Sequence, residues 1–166
     1  MMAEEIVIRE YEPGDASLVS HLHMRLYGRT YGFRGIFEHY VMAGMAGFLR
    51  DPSGGQLWVA LRDGVVVGAI AIVKSGEGSA QLRWFIVDET VQGRGLGRRL
   101  LDRAMAFCQE RGYDKVTLWT AEVLHAARHL YEEYGFVPVE RKANDEWTDG
   151  VIIEERWERS APSPKG

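Results

Sequence analysis

The stretch WFIVDETVQGRGLGRRLL, residues 84–101, decides how the chain reads. It opens with bulky apolar residues, as a buried strand does, and closes with leucines at helical spacing between arginines. Between them is a short turn with glycine at 93, 95 and 97. A strand that enters a helix through such a turn presents unpaired N–H groups at the helix start, with no β-carbon in the way. Those donors and the positive end of the helix dipole suit a phosphate. Arg94, Arg98, Arg99 and Arg103 crowd the helix end that disfavours positive charge, in a chain of net charge −4. The turn therefore reads as a site for a phosphorylated ligand. The blander reading is a tight turn beside a solvated basic face.

Two nucleotide motifs fail here. G-x-G-x-x-G would need glycine where Arg98 stands, and a P-loop would end in Gly-Lys-Ser/Thr, which is absent.

Downstream, the pattern predicts a helix over 95–111, with Leu96, Leu100, Ala104 and Phe107 or Cys108 on one face and Gly112 as its stop. A strand at 115–120, a helix at 124–134, a short strand at 136–139, a polar loop at 142–150 and a last strand at 151–157 follow. Upstream, strands at 57–61 and 65–73 flank Asp63-Gly64, a strong hairpin signal, and a further strand covers 80–87. The chain begins with a strand at 5–9 and a helix at 13–24. The glycine- and aromatic-rich loop YGRTYGFRG (27–35) and a helix at 36–49 come next. This order implies an α+β fold, with a mixed, mainly antiparallel central sheet of about seven strands flanked by about four helices. Residues 1–159 are expected to form one domain, and 160–166 a disordered tail.

With 166 residues, 46% hydrophobic and 27% charged, the composition is that of an ordinary soluble domain. No apolar run approaches the roughly 20 residues that cross a bilayer, so no membrane partner is expected. The start carries acids where a signal peptide carries basic residues and a long apolar core. The single cysteine, Cys108, suits a reducing cytoplasm. The acidic balance argues against a nucleic-acid partner. Five scattered histidines lack metal-ligand spacing, so no metal is expected.

Gln92-Gly93-Arg94-Gly95-Leu96-Gly97 fits Gln/Arg-x-x-Gly-x-Gly/Ala, and LHAARHLYEEYGF (124–136) fits A-x-x-x-Y followed by Gly-Phe at Ala127, Tyr131, Gly135 and Phe136. In both motifs and in the order of its elements the chain resembles the GNAT superfamily of N-acetyltransferases, especially acetyltransferase domains fused to MarR-type regulators. The resemblance implies acetyl-CoA as cosubstrate. Its pantetheine arm would lie along the backbone near Phe85 and Val87, with Ala127 beside it. The pyrophosphate would be cradled by Gln92, Gly93, Arg94, Gly95, Leu96, Gly97, Arg98 and Arg99. Tyr131 takes the family's general-acid position. One position departs, because Leu124 stands where the family often has asparagine. The implied function is acetyl transfer to a primary amine of a small molecule. The alternative is a non-catalytic CoA-binding or interaction module of the same fold.

No general base is legible. Relatives place Glu or His on the strand before the glycine turn, where this chain has Gln81 and Arg83. Glu38, Glu122, His39, His125, His129 or a water chain all remain open. Strand alternation puts Gln81, Arg83 and Val87 on one face. Arg83 would pair either with Glu38 or Glu122, or with the carboxylate of an amino-acid-like acceptor covered by Tyr27, Tyr31 and Phe33. Trp58, Trp84, Trp119 and Cys108 read as core. A homodimer through an exposed last strand is a further expectation.

Overall fold

The computed structural model describes residues 5–161. The elements are β1 (Ile6–Glu10), α1 (Asp15–Tyr31), α2 (Gly35–Arg50), β2 (Gln56–Arg62), β3 (Val65–Gly76), β4 (Ser79–Val87), α3 (Leu96–Arg111), β5 (Lys115–Ala121), α4 (His125–Glu133), β6 (Val137–Asn144) and β7 (Ile152–Ser160). Asp63 and Gly64 both take positive φ, 52° and 76°, which is the geometry of a tight β2–β3 hairpin. The strands form one sheet in the order β1-β2-β3-β4-β5-β7-β6, antiparallel except between β4 and β5. One face is covered by α1 and α2, through Val19, Leu22, Met45 and Phe48. The other is covered by α3 and α4, through Leu100, Leu101 and Tyr131.

β4 carries the feature that shapes the site. Arg83 pairs with Ala71 and Ile86 with Ala69, so Trp84 and Phe85 together stand opposite Ile70. This is a β-bulge, and Trp84 takes φ 50° to make it. The extra residue exchanges the faces. Ala80 and Leu82 pack toward α3, but beyond the bulge Phe85 and Val87 take that side, while Trp84 and Ile86 pack toward α1 and α2. Val87 therefore does not share a face with Arg83, contrary to strict alternation. β4 pairs with β5 only over Ser79–Gln81, against Lys115–Thr117. Beyond that the strands part, and the β5 side of β4 is left open.

Other boundaries move for physical reasons. α1 continues to Tyr31 instead of ending at 24, because Tyr27 and Tyr31, one turn apart, pack with each other and with Phe33 at 5.6–5.9 Å. This packing outweighs the helix-weakening Gly28, and Gly32 at φ 71° closes the helix by donating to the Gly28 carbonyl. β6 runs to Asn144, past the expected short strand and into the first residues of the expected polar loop. It has no alternating apolar face. Opposite charges sit across from each other on β6 and β7 instead, in the pairs Glu140–Arg156, Arg141–Glu155 and Lys142–Glu154. The last strand, β7, lies inside the sheet, so the edge strands are β1 and β6 and a partner could not add to β7. β7 also includes Ser160, and Ala161 donates to the Asp114 carbonyl; the rest of the expected tail lies outside the described residues. Trp58 and Trp84 are core, but Trp119 is 37% exposed with Lys142 over its ring. Among the described residues, no helix is long and apolar enough to cross a membrane.

Candidate functional site

Where β4 and β5 part, two cavities meet. The larger, about 490 Å³, lies between the end of β4, the glycine turn and the start of α4. Gly93 and Gly95 take φ 78° and 77°, and a β-carbon on either would meet open space, so glycine serves the backbone conformation there. Gly95 caps α3 without any side-chain bond, and the first turn holds no acid. Among the described residues, no protein group accepts from the amides of 93–98. Those amides are the anion-binding equipment of a helix start. Gly97 serves a different end. A β-carbon there would lie 2.9 Å from Leu130 Cδ1 and 3.4 Å from the Phe85 ring, so its absence lets α3, α4 and β4 close together.

The expected cofactor residues largely converge. Phe85, Val87, Gln92, Gly93, Gly95 and Leu96 line the larger cavity, as do Gly97, Arg98 and Ala127. Gln92 Nε2 also donates to the Val87 carbonyl at 3.2 Å and ties the turn to β4. Two of the expected arginines do not converge. Arg99 turns away and donates to the Ile6 carbonyl at 3.0 Å, holding α3 to β1, and Arg94 is exposed off the lining. Arg98 lines the cavity while bonding Glu133 at 3.0 Å. Tyr31 lines this larger cavity, not the one with Arg83.

The smaller cavity, about 310 Å³, lies on the α1/α2 side. Tyr27, Phe85, Leu124 and Ala127 line both cavities and mark the junction, where leucine replaces the expected asparagine. Gln81, Arg83, Phe33 and Tyr131 line the smaller one. Because of the bulge, Arg83 and Trp84 share a face although they are consecutive, and the guanidinium lies 4.7 Å from the Trp84 ring centre. It fills the room left by Gly44 on α2, where a β-carbon would lie 2.7 Å from Arg83 Nη2. Neither expected acid reaches it: Glu122 bonds Arg141 at 3.1 Å, and Glu38 is exposed. Among the described residues Arg83 has no carboxylate partner, and burial alone moves its pKa, downward.

Tyr131 is buried among Phe85, Phe136 and Trp157, at 5.8–6.3 Å between ring centres. Its position is fixed by Arg128, one turn earlier, which bonds both oxygens of buried Glu155 on β7, at 2.7 and 3.2 Å. Its hydroxyl bonds no protein group among the described residues. Burial, and then Tyr27, push the phenol above its ordinary pKa, so it keeps its proton at neutral pH. Thr120 Oγ1, another group lining this cavity, is sealed from solvent and likewise has no partner among the described residues.

Residues 19–136 match the model of the Acetyltransferase (GNAT) family. The chain belongs to that family. An N-acetylaspartate synthetase of Danio rerio is 34% identical over 99 residues, covering 59% of this chain and 35% of the relative. The chain thus spans about a third of that relative's length. A GNAT acetyltransferase from Staphylococcus aureus Mu50 superposes with a TM-score of 0.77 at 20% identity, over 94% of this chain and 99% of that one. A putative acetyltransferase from Salmonella typhimurium, solved with its cofactor acetyl-CoA, gives 0.74 at 18%, over 97% and 96% of the two chains. These likenesses establish the GNAT fold.

Sequence reasoning missed His23, Gly44 and Thr120. His23 sits among Val19, Leu22 and Leu26 on a helix face that reads as core, and a mid-helix glycine reads as a mere weakness.

Proposed function

We propose that the chain transfers the acetyl group of acetyl-CoA to the amine of a small molecule that also carries a carboxylate. Arg83 carries this reading. A guanidinium withdrawn from water without a counter-ion is costly, and a carboxylate on the acceptor would meet its planar fork with paired hydrogen bonds. Trp84 below and Gly44 beside it hold the fork in place. N-acetylaspartate, named in the Danio rerio relative, is an acetylated amine with carboxylates of its own.

The larger cavity fits acetyl-CoA, since its unpaired amides match a pyrophosphate and it meets the smaller cavity at Tyr27, Phe85, Leu124 and Ala127. Bound there, acetyl-CoA supplies an activated acyl carbon. On this reading Tyr131, which lines the smaller cavity, gives its proton to the departing sulfur, and the rings of Tyr27 and Phe85 at the junction screen it from water. A reducing, cytoplasmic setting fits the buried thiol of Cys108, whose pKa burial pushes up to about 11.

The test is a split between acceptors. Arg83→Lys should raise KM for carboxylate-bearing amines by roughly 10- to 100-fold, the worth of a lost charge-assisted bond, and leave their decarboxylated analogues nearly unchanged. Equal losses on both, or a wild type that acetylates only polyamines, would defeat the reading. Gly44→Ala gives a second measure. Alanine should favour the helix by about 0.5–1 kcal/mol. Its methyl would displace the guanidinium, so KM for the same amines should rise severalfold while Tm holds or increases. Unchanged KM would show that the fork is not held against α2.

A further inference from the structure

One turn before Tyr27 on α1 stands His23, a buried histidine. Its Nδ1 lies 2.8 Å from the Val19 carbonyl oxygen. A carbonyl can only accept, so Nδ1 carries the hydrogen and Nε2 of the neutral ring keeps a lone pair. Among the described residues nothing donates to Nε2. The ring lines the smaller cavity together with Arg83 and Tyr131. It also stands 5.6 Å from the ring of Tyr27, which lines both cavities, so His23 is one ring away from their junction.

We propose that His23 Nε2 takes the proton of the attacking amine. This rests on the acetyl-transfer reading above. The amine nitrogen bonds to the acyl carbon, one of its protons passes to Nε2, the carbon–sulfur bond breaks, and the sulfur takes the phenolic proton of Tyr131. Return of the proton from the imidazolium to the phenolate resets both residues. The net change is amine plus thioester to amide plus thiol.

The other candidates are badly placed. His39 is exposed, His129 bonds Glu133 at 2.9 Å, Glu122 is held by Arg141, and His125 lines only the larger cavity. Burial lowers the His23 pKa to about 4, against a smaller opposing effect of the Val19 carbonyl, so the ring is neutral at working pH. A weak base is enough, because the amine nitrogen becomes strongly acidic once it has bonded to the acyl carbon. The charged and titratable groups sharing the cavity are Tyr27, Tyr40, Arg83, Tyr131, Lys142 and Glu154. Glu154, the only carboxylate among them, is engaged by Asn144 at 3.1 Å and Lys142 at 3.6 Å.

His23→Gln keeps a donor for the Val19 carbonyl and removes the base. In a thiol-release assay kcat should fall by roughly 10²-fold or more, with KM for acetyl-CoA and for the amine within about threefold. A folded variant with kcat near wild type would overturn the inference. Should the variant not fold, ¹⁵N NMR of the wild type decides. Nε2 should be the unprotonated nitrogen at pH 7, and its resonance should move when a carboxylate-bearing amine binds. A ring protonated at Nε2, or a resonance that stays put, overturns the inference. A wild type that prefers amines without a carboxylate sinks the acceptor reading alone, and the His23 comparison then runs on those amines. A wild type that acetylates no amine sinks both.

Discussion

Tyr131→Phe is expected to lower kcat by about 10²-fold or more while leaving KM for acetyl-CoA within about threefold. Most of the side chain's energy is in its ring, which packs against Phe85, Phe136 and Trp157 and survives the substitution. The hydroxyl has no protein partner among the described residues, so removing it strands no buried donor or acceptor, and Tm should scarcely move. A large loss of turnover with an unchanged melting curve would therefore isolate proton donation to the leaving sulfur. Turnover close to wild type would mean that the thiolate departs unaided and that Tyr131 serves only as packing.

The second large effect is on stability against acid. Unfolded, the His23 ring takes up a proton below its ordinary pKa of 6.5; folded, it does so only near 4. Between these values the unfolded chain binds the additional proton, so stability rises with pH across the window and is lost as pH falls from 6.5 to 4. The gap corresponds to about 3 kcal/mol. Two buried carboxylates extend the loss below that window. Burial alone would raise Asp15 and Asp88. The bonds to Asp15 from Arg9 and the Glu12 N–H, and those to Asp88 from the Thr90 N–H and Arg25, outweigh it and hold both below their ordinary value. Urea unfolding at pH 7, 5.5 and 4 checks the sign. His23→Leu should flatten the curve between 6.5 and 4 and leave the steeper fall at lower pH. An equally steep loss in that variant would place the acid sensitivity elsewhere.

The parts of this architecture visible in the sequence are those where one residue type is imposed by local geometry. Asp63-Gly64 marked the hairpin because both residues need positive φ, and Gly93, Gly95 and Gly112 marked the two ends of α3 for the same reason. The bulge was invisible. Burial along β4 alternates without interruption from Ala80 to Val87, so the pattern is that of an unbroken strand while the faces exchange at Trp84. β6 was cut short because its stability comes from charge pairs across to β7, which leave no apolar period. In the site, the glycine turn and Tyr131 stood out through their motifs. Arg83 stood out because arginine is out of place in such a strand. His23 and Gly44 became informative only when folding brought α1 and α2 against β4.

The extra residue in β4 lets the two halves of one strand serve different layers. Positions 81 and 83 look toward one pair of helices, and 85 and 87 toward the other. A change of side chain in the first half thus leaves the second half undisturbed. Deleting residue 84 itself would restore strict alternation with Arg83 and Phe85 still facing their own layers, and would remove the ring against which the guanidinium rests. New acceptor preferences in a chain built this way are therefore open to point substitution before the bulge, while the residues after it go on lining the other cavity.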